Sequence, residues 1–178
     1  FFVNFLFFTQ EIGTSGSMLE QTLCLNASTF TEGNAETCPT GRILPVAGTP
    51  MDFTRAKPIG RDIQAEYSQL QMCGGDDHNF ILDKEPGMLA LAAVARSEKT
   101  GITMETYTTQ PGVQLYTSNS LQNDTRPGKT GGIYGRYQGF CLETQHYPCT
   151  PSHPEFPSVE LRPGEEYHET TIYKFLTE

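Results

Sequence analysis

The sequence predicts an all-β protein, an antiparallel β-sandwich assembled from many short strands. Short apolar or alternating segments follow one another along the chain, and turn residues separate them. The 17 glycines and 12 prolines are spread out rather than clustered, which is typical of many turns. At 178 residues and 37% hydrophobic content, the chain is long enough to bury the core of one domain. We therefore expect a single layered domain without long helices.

The first half of the chain predicts short strands and one helix. Spaced leucines predict a strand over residues 19–25. A turn is expected at residues 37–41 and a brief extended piece at residues 43–46. Residues 62–70 carry apolar side chains at spacings of four and three, and they are predicted to form the short helix.

A β-hairpin is predicted in the middle of the chain. Residues 88–96 have high helix propensity, and propensity alone predicts a helix there. The turn residues 97–101 and the alternating residues 102–107 that follow favour a hairpin instead. We expect Gln110 to end the second strand, because Pro111 and Gly112 turn the chain.

The last third of the chain predicts a long polar loop and two further strands. The loop is expected over residues 124–132, which hold one proline and three glycines. A strand is expected from residue 140 to 145, and the chain closes with a turn at residues 162–165 and a strand over residues 167–175.

Glu143 is the candidate for acid–base chemistry. Side chains alternate along a strand, so Glu143 shares its face with Cys141 and Gln145 and not with Leu142. A carboxylate on a half-covered sheet face is a good proton acceptor, because partial burial raises its pKa toward neutrality. The alternative is that Glu143 simply points to water, as most strand glutamates do.

Four motifs resemble the signature of the aldose 1-epimerase (galactose mutarotase) family. In chain order they are GGDDHNF at residues 74–80, YTTQPGVQLYT at 107–117, GFCLETQH at 139–146 and RPGEEY at 162–167. The resemblance covers residues 12–178 and corresponds to the C-terminal half of such an enzyme. It implies a β-sandwich of the galactose mutarotase type, N-terminally truncated, with the sugar site in a groove on one sheet.

The resemblance also implies a reaction and roles for three residues. The family interconverts the α and β anomers of aldohexoses such as glucose and galactose by ring opening, without a cofactor. By resemblance Glu143 is the general base, and Asp77 and Gln110 bind sugar hydroxyls. The family's general acid is a histidine of an Asn-His-Ser-Tyr-Phe motif that these residues lack. We therefore expect this chain to be weak or inactive, and a catalytically silent carbohydrate-binding protein is the alternative.

Other interpretations of these polar residues stay open. Asp77 also suits a turn-capping role after two glycines, and Gln110 suits a strand end where its amide bonds to backbone. Asp76 departs from the family pattern, and a second charge beside Asp77 is expected to raise its pKa or displace it. No metal is expected, because Asp77 and His78 leave opposite faces of a strand. His146 and His153 are expected to be solvated loop residues.

Net charge and cysteine content bear on the binding partners and the cellular location that remain open. Twelve Lys and Arg against 21 Asp and Glu give a net charge of −9, which disfavours nucleic acid binding. Five cysteines without zinc spacing favour reduced thiols and a cytoplasmic location. The glycosylation triplets at Asn26 and Asn123 leave a secreted interaction domain open. Residues 1–11 are an apolar leader too short to span a bilayer, and a buried strand and a non-native segment are the two interpretations of it.

Overall fold

The computed structural model describes residues 18–121, 133 and 135–177, which form two facing antiparallel sheets of five strands each. The described strands are β1 (Thr22–Leu25), β2 (Thr29–Gly33), β3 (Pro39–Pro45), β4 (Lys57–Pro58), β5 (Asp77–Ile81), β6 (Ala90–Arg96), β7 (Ile102–Thr108), β8 (Gly112–Tyr116), β9 (Cys141–Gln145) and β10 (Thr171–Thr177). The helix α1 (Ser68–Cys73) precedes β5, and short 3-10 turns lie at Met18–Glu20, Ile59–Arg61 and Thr150–Ser152. The all-β sandwich prediction is confirmed.

The strand order places β9, the strand that carries Glu143, at the edge of its sheet. One sheet, which we call the groove sheet, has the order β3-β2-β5-β8-β9. The second sheet has the order β10-β7-β6-β1-β4. Every strand pair is antiparallel, so one face of each sheet is free to pack inward while the other meets solvent or loops.

The core lies between the two sheets. Phe30 and Phe80 of the groove sheet are fully buried, with their ring centroids 6.2 Å apart. Leu23 and Met104 reach the same core from the second sheet. Burial of side chains this large stabilises the sandwich by about 1.5 to 3 kcal/mol each.

Two edge strands join the sheets beside Glu143. The Tyr173 hydroxyl of β10 donates to the Leu142 carbonyl of β9 at 2.8 Å. The hydroxyls of Thr144 and Thr171 lie 2.6 Å apart. Because these contacts hold β9 from its core side, they fix the backbone that carries Glu143 on the opposite face.

The predicted hairpin and final turn are confirmed. β6 and β7 pair in antiparallel register, and Gly101 donates to the Ser97 carbonyl at 2.9 Å in the turn between them. Packing therefore overrides the helix propensity of residues 88–96. Glu165 donates to the Arg162 carbonyl at 3.0 Å in the predicted turn.

Several predicted boundaries are wrong. The helix is Ser68–Cys73 rather than residues 62–70, because Gly74 in a left-handed conformation (φ 67°) ends it and residues 62–67 form turns. The turn expected at residues 37–41 ends earlier, since the Asn34 side chain accepts from the backbone of Glu36 and Cys38 and β3 starts at Pro39.

Two strands also begin later than predicted. Residues 18–20 form a 3-10 turn, so β1 starts at Thr22, and β10 runs from Thr171 to Thr177. The predicted loop at residues 124–132 and the leader at residues 1–11 lie outside the described residues. Among the helices that the structure describes, none is long and apolar enough to cross a membrane.

Candidate active site

The outer face of the groove sheet carries a cluster of polar side chains. Strand pairing sets Asn79, Gln114 and Glu143 in one row across β5, β8 and β9. Asp77 lies one row away, and Gln145 lies one row away on the other side. Side chains alternate along each strand, so all five share one face, which we call the polar face.

Glu143 is a half-buried carboxyl with an elevated pKa. Burial, followed by the negative charge of Asp77, raises the pKa of Glu143 to about 7. Within the described part of the chain, no hydrogen bond occupies its carboxylate oxygens. Glu143 is thus a free acceptor whose pKa suits proton transfer near neutral pH. Its presence on the polar face also agrees with the alternation predicted from sequence.

Asp77 is held in place by an amide chain. The Gln114 Nε2 donates to Asp77 Oδ1 at 2.7 Å. Gln145 Nε2 in turn donates to Gln114 Oε1 at 3.2 Å and to Asn79 Oδ1 at 3.3 Å. Burial raises the pKa of Asp77, and the Gln114 hydrogen bond opposes that rise. The chain of donors therefore orients the Gln114 amide and keeps one Asp77 oxygen for another donor.

Gly112 leaves the space that this network needs. A Cβ atom at position 112 would lie 2.5 Å from Asn79 Oδ1, closer than any normal contact. Because Gly112 stands between Ile81 and Gln145 in the strand register, its missing side chain lets Asn79 reach toward Gln145. The glycine is therefore a requirement of the polar face as well as of the preceding turn.

A small open cavity lies over part of the polar face. It holds about 290 Å³ of empty space, which is continuous with open solvent. Asp77, Asn79 and Gln114 line its floor. Pro39 of the β2–β3 hairpin and Pro148 after β9 line its walls.

Gln110 makes its side-chain hydrogen bond to the tail of the chain. Its side chain is 7% exposed, and its Nε2 donates to the Tyr167 hydroxyl at 2.7 Å. The structure thus brings Asp77 and Glu143 together, while Gln110 contacts the tail of the chain. Sequence reasoning missed Gln114, which lies in the same motif and shares the polar face with Gly112, two positions before it. Strand alternation within that motif puts Gln114 on one face with Gly112, but its position beside Asp77 depends on the register between β5 and β8.

His78 and His153 differ in their surroundings. His78 faces the core, its ring 5.8 Å from Phe30, and burial lowers its pKa to about 4. The opposite orientation of Asp77 and His78 was predicted. His153 is not solvated as predicted, because its Nε2 lies 3.0 Å from the Pro39 carbonyl and its Nδ1 3.2 Å from Glu155. No group of three potential metal ligands occurs in the described residues.

Asp76 and Cys141 do not take part in the polar face chemistry. The Asp76 side chain is fully buried, and burial raises its pKa to about 7. Its charge is not among the causes that shift the pKa of Asp77. Burial raises the pKa of Cys141 to about 12, so its thiol is not a nucleophile at neutral pH. All five cysteines are free thiols in the structure.

The chain is similar to known proteins along nearly its whole length. A sequence model of a family described as aldose 1-epimerase matches residues 7–174. Human galactose mutarotase is 39% identical over 174 residues, covering 97% of this chain. The aldose 1-epimerase of Escherichia coli is 36% identical over 142 residues, covering 79% of this chain.

Solved structures agree with the sequence comparison. Galactose 1-epimerase from Lactobacillus acidophilus superposes with a TM-score of 0.76 at 27% identity, over 90% of this chain and 45% of that one. The GalM/aldose epimerase homologue from C. elegans gives a TM-score of 0.74 at 26% identity, over 97% and 50%. The chain also spans only 48% of the human relative and 40% of the bacterial one, about half the length of the proteins it matches.

Proposed function

Because this chain belongs to the aldose 1-epimerase family, we propose that it supplies the base side of a site that interconverts the α and β anomers of aldohexoses. The observation that carries the proposal is the position of Glu143. Its carboxylate is free of protein hydrogen bonds in the described residues, has a pKa of about 7 and stands beside Asp77 and Gln114.

Glu143 acts on the anomeric hydroxyl. Its carboxylate takes the hydroxyl proton while an acid protonates the ring oxygen, and the bond between the anomeric carbon and the ring oxygen breaks. The open aldehyde rotates, and Glu143 returns its proton as the ring closes on the other face. A base with a pKa of about 7 is suited to both directions of transfer near neutral pH. The steps involve only protons, and no cofactor is needed.

Asp77 and Gln114 hold the sugar in this proposal. Asp77 retains acceptor capacity beyond its bond to Gln114 and accepts a sugar hydroxyl. Gln114 is the nearest amide to both carboxyls in the strand register. The predicted role of Gln110 stays a prediction, and its bond to Tyr167 would have to open for the amide to reach a sugar.

A catalytically silent sugar-binding protein is the second candidate. The observation that favours it is the placement of the histidines. His78 has a pKa of about 4 and faces the core, while His153 is engaged by Pro39 and Glu155. Neither is placed to protonate a ring oxygen above Glu143. This chain alone then binds the sugar without turning it over.

Polarimetry on α-galactose and α-glucose tests the proposal. The 178-residue chain and the full-length product of its gene are compared at equal concentration. We expect the full-length product to accelerate anomerisation, and we expect the 178-residue chain to be slower by about two to four orders of magnitude, the usual contribution of a general acid. A full-length product without any acceleration would refute the epimerase proposal.

The predicted cytoplasmic location rests on the free cysteines alone.

A further inference from the structure

Two exposed thiols lie on neighbouring segments beside the cavity of the polar face. Cys38 directly precedes β3, and Cys149 follows Pro148 in the segment after β9. Both side chains are exposed. The two cysteines are neighbours in space, although 111 positions separate them (149 minus 38): Thr37 and Pro39, which flank Cys38, line the same cavity as Pro148, which precedes Cys149, and Cys38 contributes to the shifted pKa of Cys149.

The surrounding backbone fixes both cysteines. Asn34 Oδ1 accepts from the Cys38 N–H at 3.0 Å, and the Asn34 N–H donates to the Cys38 carbonyl at 2.8 Å. The Cys149 carbonyl accepts from Ser152 at 2.9 Å. His153 Nε2 lies 3.0 Å from the Pro39 carbonyl, which ties the two segments together next to the thiols. These contacts hold the two segments that carry the cysteines side by side.

We propose that Cys38 and Cys149 are an oxidation site, forming a reversible disulfide that links the β2–β3 hairpin to the segment after β9. Residues on both sides of this link line the groove, since Pro39 and Pro148 form its walls. Oxidation therefore joins the two segments that line the walls of the cavity by a covalent bond. Formation of this disulfide does not depend on epimerase activity, because it involves only the two cysteines.

The reaction is a two-step exchange with a small-molecule disulfide such as oxidised glutathione. One cysteine thiolate attacks a sulfur of the reagent, which breaks the reagent's S–S bond and releases one small thiol. The second cysteine then attacks the protein sulfur of the mixed disulfide and releases the second small thiol. Two electrons and two protons pass from the cysteines to the reagent. Burial, with a smaller effect of Cys38, raises the pKa of Cys149, so exchange speeds up with rising pH.

The test is to oxidise the reduced 178-residue chain with oxidised glutathione and map the products. We expect a monomer lighter by about 2 Da and a cross-linked peptide pair that contains Cys38 and Cys149. Thermal unfolding should move up by roughly 5 to 15 °C, because the bond closes a long loop, and dithiothreitol should reverse the shift.

Three variants make the result specific. Cys38→Ser and Cys149→Ser should each lose the cross-link and the thermal shift, whereas Cys24→Ser should keep both. All three positions lie outside the polar face, so folding is not expected to suffer. Stable glutathione adducts without a cross-link, a bond to Cys73, or covalent dimers as the main product would each overturn the proposal.

Discussion

Glu143 and Asp76 are two carboxyls with similar electrostatics and opposite surroundings. Burial is the largest cause of the elevated pKa of each, which is about 7 in both. Glu143 lies half-buried on the polar face, next to Gln114 in the strand register. Asp76 has a relative exposure of 2%, and its Oδ1 has no partner among the described atoms.

The difference shows that burial raises the pKa of a carboxyl wherever it lies. Whether that carboxyl can exchange a proton with a ligand depends on whether the ligand can reach it. The backbone carbonyl of Asp76 accepts a hydrogen bond from Asn119 at 2.7 Å. Its carboxyl is buried and therefore inaccessible to a solute. Its ionisation is therefore a cost to folding. In the proposed mechanism the ionised Glu143 accepts a proton from a sugar hydroxyl. The following experiments separate these two roles, beginning with the largest expected effect.

Glu143→Gln in the full-length product should reduce the anomerisation rate by about two to four orders of magnitude, because the positioned base is lost. The fold should survive, since no protein hydrogen bond of the carboxylate is lost in the described residues. Polarimetry with circular dichroism as the folding check measures both. Glu166→Gln, at an exposed position of the tail, is the matched control and should retain the parent rate. Parent-like turnover by folded Glu143→Gln would remove Glu143 from the mechanism.

Asp76→Asn should change the pH dependence of stability rather than the rate. The folded pKa of about 7 exceeds the usual 3.8, so the unfolded chain loses its proton first and stability falls as pH rises from about 4 to 7. The total loss is at most about 4 kcal/mol at about 1.4 kcal/mol per unit. Denaturant unfolding at several pH values should show a smaller fall in the Asn variant.

Subtraction of the two curves isolates Asp76 from other titrating groups. His78 acts in the opposite direction, since its pKa of about 4 lies below the usual 6.5 and stability is lost as pH falls through that interval. Identical slopes for the parent and Asp76→Asn would show that Asp76 stays charged in the folded protein.

Asp77→Asn should weaken galactose binding by about 1.5 to 3 kcal/mol, the value of a hydrogen bond to a charged group. It should also lower the pKa of Glu143, because the charge of Asp77 raises it. The bond from Gln114 survives, since the new side chain keeps an oxygen acceptor. Calorimetry and a carboxyl titration check the two effects. An unchanged affinity would exclude Asp77 from the sugar site.

Gln114→Ala and Gln110→Ala form a matched pair with a smaller expected effect. Loss of Gln114 should weaken sugar binding by about 0.5 to 1.5 kcal/mol, the usual net value of a neutral hydrogen bond. Loss of Gln110 should weaken sugar binding less than loss of Gln114, because its Nε2 is engaged with Tyr167 and only its Oε1 is without a partner among the described residues. The reverse ranking in calorimetry would show that Gln110, which the sequence motif predicts to bind sugar, contributes more to binding than Gln114.

The sequence predicts the sandwich and the facing of Glu143 because both depend on alternation within short segments. The strand β6 was identifiable despite its alanines, since a turn and an alternating partner follow it. Gln114 was not identified, because its position beside Asp77 depends on the register between β5 and β8. The contact of His153 with the Pro39 carbonyl spans 114 positions, and no local pattern records it.

A carboxyl-carbon NMR titration of the 178-residue chain, with and without galactose, tests the central claim most directly. We predict that Glu143 and Asp76 both titrate near pH 7 and that galactose changes the titration of Glu143 alone. Asp77→Asn should lower the Glu143 midpoint in the same experiment. A Glu143 that titrates near its ordinary value of 4.5 and ignores the sugar would contradict the account.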